Sequence, residues 1–408
     1  MSQTYLHDSE LERRFSALDA FLMEHVALWR PRPFTQRRLA WEDDYPALAS
    51  WLRERSLDQA EAEHNAPHRL NAPAPFPEWA AEAEALSAVG PLPSRPLDPI
   101  SHRYSVDVPG RKWSQVQAFA RHAVFSVKTA HWVDWCAGKG HLGRLLGSQG
   151  VPFTALERDD VLVAAGRALS DRLAAINAEH LQQDVMEPAA AAHLGRDRTP
   201  VALHACGDLH VTLLRQSVAT GSPSLAVAPC CYNRIEADRY RPLSGIAQAS
   251  SLVLDRDDLG LPLTETVTAG ERVRRQRDLS MARRLAFDAL QRSLRGQDDY
   301  LPTPSLPTNW LQRSMSEYCT HLGALKGLSI PTDTDWIALE ATGWQRLAEV
   351  RNLELVRGLF RRPLELWLLL DRALYLQEHG YSARIGTFCG PWLTPRNLML
   401  VAERSAPR

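Results

Sequence analysis

Apolar positions near the start of the chain recur at helical spacing. Leu11, Phe15, Leu18, Phe21 and Leu22 fall on one stripe, which predicts a helix over 8–28, opened by Asp8 or Ser9 and stopped by Trp29-Arg30-Pro31-Arg32-Pro33. Tyr45, Leu48, Trp51 and Leu52 predict a second amphipathic helix. An alanine- and glutamate-rich stretch follows over 56–89, and the proline-rich segment 90–99 reads as a linker. Trp113, Val116, Phe119 and Ala120 share one further helical face, and then the pattern changes. Short apolar runs predict strands at 132–135, 153–156, 180–183, 201–205 and 225–228, with helices at 142–149, 160–176 and 209–219 between them. Alternation at this spacing implies a parallel sheet with helices on both faces. From residue 235 it stops. Helices are expected over 271–296, 309–326, 340–358 and 362–379, a proline-containing loop over 298–308, and two closing strands at 383–388 and 397–403.

Composition adds limits. The chain has 408 residues, 45% of them hydrophobic and 23% charged, enough for a core that needs no disulfide or metal. The net charge of −1 excludes an overall basic footprint, so any nucleic-acid surface is local. Arg272, Arg274, Arg275 and Arg277, on the helix expected over 271–296, are the candidate phosphate contacts to RNA, against the plainer reading of a solvated charged face. Arg30, Arg32, Arg37 and Arg38 are weighed the same way, with the solvated face favoured. Six cysteines lack paired spacing, the opening residues carry no secretory pattern, and the run 366–370 is too short to cross a bilayer. A cytoplasmic protein with free thiols is expected.

The chemistry centres on Val133-Asp134-Trp135-Cys136-Ala137-Gly138-Lys139-Gly140-His141-Leu142-Gly143-Arg144, a strand, a glycine turn and a helix start. Gly138-x-Gly140-x-x-Gly143 matches the dinucleotide fingerprint. A dinucleotide lays an anionic pyrophosphate over such a turn. Asp134 at its mouth would repel that anion, whereas S-adenosylmethionine presents an ammonium and a sulfonium. The next two strands also end in acids, Glu157 suited to a ribose diol and Asp184 to an adenine amine. This favours the methyl donor over a nicotinamide cofactor. An NAD(P)-dependent oxidoreductase, and a non-catalytic binding protein with a relic donor fold, stand as alternatives.

The fourth strand runs into His204-Ala205-Cys206-Gly207-Asp208 and the fifth into Pro229-Cys230-Cys231-Tyr232. His204 or Asp208 is a candidate general base, set against a backbone-bonded histidine and a helix cap; Tyr232 is a candidate stacking platform. Cys230 and Cys231 are candidate nucleophiles of the kind that add to a pyrimidine, which requires a depressed thiol pKa. The plainer reading is buried, inert thiols. No C-x-x-C pair has partner spacing, so no metal is expected.

Leu203-His204-Ala205-Cys206-Gly207-Asp208-Leu209, Cys230-Cys231-Tyr232, Leu370-Asp371-Arg372-Ala373-Leu374-Tyr375 and Thr394-Pro395-Arg396-Asn397-Leu398 resemble the methyltransferase-like proteins grouped with the ribosomal RNA adenine dimethylase domain-containing proteins. The first two motifs are also similar to the tRNA 2′-O-methylating and glutathione-transferase-C-terminal-domain-containing branches. The resemblance spans 108–408. It implies an α/β, Rossmann-like class I methyltransferase sheet, five parallel strands plus a closing antiparallel pair; with the pattern along the chain this gives a methyltransferase domain over 101–408 with a mostly helical insertion at about 235–335, preceded by a helical accessory region over 1–100 that the resemblance does not cover. It implies S-adenosylmethionine as cofactor, held by Asp134, Gly138, Gly140, Glu157 and Asp184, with Lys112 near the donor carboxylate. Cys136 departs from the family's first glycine. The Asn/Asp-Pro-Pro-Tyr lip used for adenine amines is missing after the fourth strand, so adenine dimethylation is not expected. The expected function is methyl transfer to a macromolecule, RNA before protein.

Overall fold

Runs such as Ser224-Leu-Ala-Val-Ala228 are buried at every position, which is what a parallel strand covered on both faces demands. The computed structural model of the protein describes residues 4–173, 176–264 and 270–405. Residues 1–3 of the opening segment, positions 174 and 175 of the helix expected over 160–176, and 265–269 of the expected insertion lie outside the described residues. The strands are β1 (Leu6–His7), β2 (His131–Trp135), β3 (Phe153–Glu157), β4 (Ala178–Gln182), β5 (Arg198–Leu203), β6 (Ser224–Ala228), β7 (Tyr381–Thr387) and β8 (Leu398–Arg404). They form one eight-stranded sheet in the order β1-β7-β8-β6-β5-β2-β3-β4. From β6 to β4 all pairings are parallel, while β8 runs antiparallel to both β6 and β7. The expected α/β architecture of five parallel strands and a closing antiparallel pair is therefore present. Strand order reverses at β2, flanked by β3 and β5, which is where open sheets of this type bind ligands.

The sequence pattern did not reveal β1. It pairs with β7 through Leu6 opposite Ile385 and makes a two-residue edge too short to recruit another chain. The segment expected as a linker is bonded to the same strand. Leu92 N–H donates to the Thr387 carbonyl at 3.0 Å, and Thr387 N–H to that of Gly90 at 2.9 Å.

The chain forms two compact units interleaved in sequence. The described residues of 4–23, 86–264 and 362–405 make the sheet unit, and those of 24–85 and 270–361 a helical unit. Residues expected as one accessory region over 1–100 thus contribute to both. In the sheet unit, helix Ser9–Glu24 buries the five apolar residues of its stripe, and Phe15 packs on Trp367 at 5.1 Å between ring centroids. Helix Arg361–Glu378 is buried on most faces from Leu364 to Leu376. Its Asp371 and Arg372 are 0% and 1% exposed and form an internal tether. The Asp371 carboxylate accepts from the Tyr240 hydroxyl, from Leu243 N–H, and from both the N–H and the hydroxyl of Ser244.

In the helical unit, Glu271–Arg295 packs along Trp336–Gly358. A Cβ on Gly343 would lie 2.4 Å from the Ala282 carbonyl oxygen, so only glycine permits this approach. The arginine-rich face is absorbed by the fold only in part. Arg277 makes two 3.0 Å bonds to Glu61 and a third to Asp278, while Arg275 lies 3.3 Å from Glu271. Of the four arginines expected to meet phosphate, Arg277 is thus a structural ion pair, because Glu61 and Asp278 already neutralise it. Arg272 and Arg274 are exposed.

Candidate functional site

The turn after β2 is built from left-handed residues. Cys136, Gly138 and Gly140 have φ of +57°, +56° and +69°. Cys136 therefore occupies a conformation that favours glycine, at the position where the sequence departs from the family it resembles. The three glycines of the fingerprint do different work. A Cβ on Gly143 would strike Phe153 at 2.4 Å, so Gly143 lets helix His141–Gly147 lie on the sheet. A Cβ on Gly140 would meet the His180 ring at 2.6 Å. A Cβ on Gly138 would meet nothing within 4 Å: the space over this residue is open.

Every acidic strand end holds a backbone amide of its own turn. Asp134 accepts from Gly143 N–H at 2.8 Å, and Asp184 from Met186 N–H at 2.9 Å. Glu157 accepts from Gly138 N–H at 2.9 Å through one oxygen and from Asp159 N–H at 3.1 Å through the other. Sequence reasoning assigned these carboxylates to a ligand alone; they also fix the turn. Asp134 is 3% exposed, and burial raises its carboxyl to about 7, opposed by the Gly143 bond and by the Arg144 and Lys112 cations. Lys112 is itself exposed and acts on Asp134, His141 and His204 through its charge.

Three supporting residues were not singled out from the sequence. Arg144 is 1% exposed, donates to the Lys139 carbonyl at 2.6 Å and the Gly166 carbonyl at 3.2 Å, and bonds His141 Nδ1 at 2.9 Å. Burial lowers its pKa to about 10. His180 fills the space beside Gly140 and Gly166 and bonds Ser170 at 2.8 Å. Their only sequence signal was a polar residue at an otherwise apolar position, which has no direction until the helix is docked.

On the acceptor side, His204 holds φ of +67°, and its Nε2 lies 2.8 Å from Gln115 Oε1. The Gln115 amide nitrogen donates to the Leu393 carbonyl at 3.0 Å, which fixes the amide and leaves its oxygen to accept. His204 therefore carries its proton on Nε2 and a lone pair on Nδ1. Burial, then the Lys112 charge, lowers its pKa to about 4, so the ring is neutral at pH 7. The turn is braced from below: Arg372 donates to His210 Nε2 at 2.7 Å, and His210 Nδ1 bonds the Ala205 carbonyl at 3.1 Å.

Asp208 does not cap its helix. Gly207 stands at the N-cap, and the Asp208 carboxylate accepts from Glu236 N–H at 2.8 Å. Beside it a cavity of about 440 Å³ is lined by Met186, Arg215, Glu236, Arg239 and Arg241. Tyr232 offers no platform. Its ring is 1% exposed, edge-on to His210 and under the Arg372 guanidinium. Trp392 is 81% exposed, in a loop held by Arg111 through the carbonyls of Trp392 and Leu393, each at 2.9 Å.

The thiols converge although their spacing gave no sign of it. The Sγ atoms of Cys206, Cys230 and Cys231 all lie within 4.8 Å of one another. Cys230 hydrogen-bonds Cys206 and lowers its pKa, while Cys230 and Cys231 are both pushed up. The depressed thiol required of a nucleophile is thus on Cys206, not on Cys230 or Cys231. Burial, then the Glu157 charge, pushes Cys136 up to about 12.

No helix among the described residues is long and apolar enough to cross a membrane. Three solved structures show likeness at low TM-score, which carries no argument about this chain. The plantazolicin methyltransferase BpumL in complex with SAH is 11% identical, with 51% of this chain and 70% of that chain covered and a TM-score of 0.23. Coclaurine N-methyltransferase bound to N-methylheliamine and SAH is 11% identical, with 86% and 89% covered and a TM-score of 0.26. The bifunctional kinase-methyltransferase WbdD is 13% identical, with 42% and 35% covered and a TM-score of 0.22. Residues 111–238, which contain the turn, the three acidic strand ends and the thiols, match a family model described as a methyltransferase domain.

Proposed function

We propose that the protein is an S-adenosylmethionine-dependent methyltransferase. The observation that carries this reading is the state of the turn amides. Gly138 and Gly143 N–H, which a pyrophosphate would need, already face the carboxylates of Glu157 and Asp134. The mouth is acidic and these two donors are taken by carboxylates, which suits a cationic ligand and disfavours a dinucleotide. The family match over 111–238 supports the same chemistry. The open space over Gly138 is room for the donor, with Glu157 and Asp184 beside it for the ribose and the adenine and Lys112 for the donor carboxylate. When bound, the donor supplies an electrophilic methyl group. The chain's own residues align the acceptor with it, exclude water and take up a proton. His204 Nδ1 is the proposed proton acceptor, oriented by Gln115.

Calorimetric titration with S-adenosylhomocysteine and with NADH tests the cofactor. The first binds and the second does not; the reverse result would sink the reading. G138A meets no other atom of the protein but strains a backbone at φ of +56° by about 1 kcal/mol, so circular dichroism accompanies the titration; the folded variant loses donor affinity roughly tenfold or more. Transfer of labelled methyl groups from S-adenosylmethionine in a cell extract, followed by nuclease or protease digestion, reads the acceptor class. Label in RNA is the outcome expected from exposed Arg272, Arg274 and Arg275.

A further inference from the structure

The loops after β5 and β6 carry three thiols that the donor reading leaves unused. Their sulfurs lie within 4.8 Å of one another, with Cys206 and Cys230 at 3.0 Å. Backbone contacts hold the two loops together. Gly207, with φ of +53°, sits so close to the Arg234 carbonyl that a Cβ would lie 1.8 Å from its oxygen. Asp208 N–H donates to that same oxygen at 3.0 Å, and His204 N–H donates to the Ala228 carbonyl at 3.1 Å. With the brace from Arg372 through His210 to the Ala205 carbonyl, the cysteine positions are set by rigid backbone. Cys206 and Cys231 are half-buried and reachable from solvent, whereas Cys230 is 7% exposed. Cys319 in the helical unit is the contrast: 0% exposed among Phe287, Tyr318 and Leu322, it is an apolar filler.

We propose that Cys206, Cys230 and Cys231 bind a soft d10 metal ion, zinc(II), through three thiolates, with a fourth position left for water or an acceptor atom. Zinc–sulfur bonds of about 2.3 Å in a tetrahedral site hold sulfurs about 3.8 Å apart. That separation lies between the 3.0 Å of the Cys206–Cys230 pair and the 4.8 Å within which all three sulfurs fall. Among the described residues no fourth His, Cys, Asp or Glu joins the cluster, and the neighbouring His204 Nε2 is engaged by Gln115. Three protein ligands with an open position is the pattern of sites that polarise a bound heteroatom, as opposed to closed structural sites. Soft thiolates select zinc over magnesium or calcium. Each thiol that binds releases its proton, so loading one ion sets free up to three.

The inference stands on the thiols alone and goes beyond the donor reading, so its failure is separable from that of the donor site. The full chain, reduced and stripped with a chelator, is titrated with cobalt(II) and then with zinc(II). The expected result is one cobalt per chain with a thiolate-to-cobalt charge-transfer band in the near ultraviolet, displaced by zinc, with proton release. C206S and C231S each weaken zinc binding roughly 100-fold or more, and C319S leaves it unchanged. Circular dichroism and S-adenosylhomocysteine binding on the same samples report the fold and the donor site separately. Absence of the band in the wild type, or its persistence in the C206S/C231S double variant, would overturn the proposal. So would a Cys206–Cys230 disulfide formed in air by a chain that retains no metal.

Discussion

At Cys136 the backbone holds φ of +57°, a conformation that costs a β-carbon-bearing residue about 1 kcal/mol. C136G and C136A both delete the thiol, and only glycine relieves the backbone. C136G is therefore more stable than C136A by about 1 kcal/mol in denaturant unfolding. Asp134 predicts a pH effect on the donor. Its carboxyl titrates at about 7 and a cationic ligand favours the ionised form. Below pH 7 donor binding must expel a proton, so affinity for S-adenosylmethionine weakens as pH falls, by up to about tenfold per unit, and levels off above pH 7. In D134N the calorimetric affinity is flat over this range. Trp392 is exposed, so W392A leaves stability unchanged and, if the loop stacks a planar acceptor, raises the acceptor KM by up to about tenfold.

Between elements, the Asp371–Arg372 pair joins helix Arg361–Glu378 to the segment around Tyr240–Ser244 and, through His210, to the turn bearing His204 and Cys206. Arg372 donates to His210 Nε2, to the Tyr240 hydroxyl and to the Leu368 carbonyl, and its removal leaves these buried acceptors unpaired at about 1–3 kcal/mol each. R372L lowers stability by this order in urea unfolding, and what folds shows a lowered kcat, because the Ala205 carbonyl loses its brace. The family resemblance marked the motif, but it did not name Tyr240, Ser244 or His210 as partners. Those contacts span distant parts of the chain and exist only once the helix is docked. The same limit applies to Gly343, whose need for close approach appears only with Ala282 against it.

Over the whole molecule, acid sensitivity follows from imidazoles held neutral. Burial lowers His141, His180 and His204 to about 4, against 6.5 when unfolded. Between these values the unfolded chain binds at least four more protons at histidine, because buried His210 is held well below its ordinary value as well. Asp134 opposes them, because its raised pKa keeps a proton in the folded state that the unfolded state has lost. The net difference of three protons makes stability fall as pH drops from about 6.5 to 4, by roughly 4 kcal/mol per unit. The stabilisation is intact above pH 6.5, and urea midpoints measured at pH 7 and pH 5 check this. The parallel strands were legible because each is short, apolar and followed by a helical period, and the acidic turn because its carboxylates sit at strand ends. The thiol cluster was legible only as cysteines at strand ends. Cys206, Cys230 and Cys231 meet only because β5 and β6 are neighbours in the sheet, and the N-terminal edge strand is too short to show a period.

The position of β8 between β6 and β7 has a consequence for synthesis. The five parallel strands emerge from the ribosome long before the antiparallel pair, with the entire C-terminal part of the helical unit made in between. Until β8 arrives, the open side of β6 presents unpaired amides and carbonyls on an apolar strand, a surface that invites pairing with other chains. The nascent chain is thus exposed to association through the later part of its translation, from β6 onward, and β7 and β8 both complete the sheet and end that exposure.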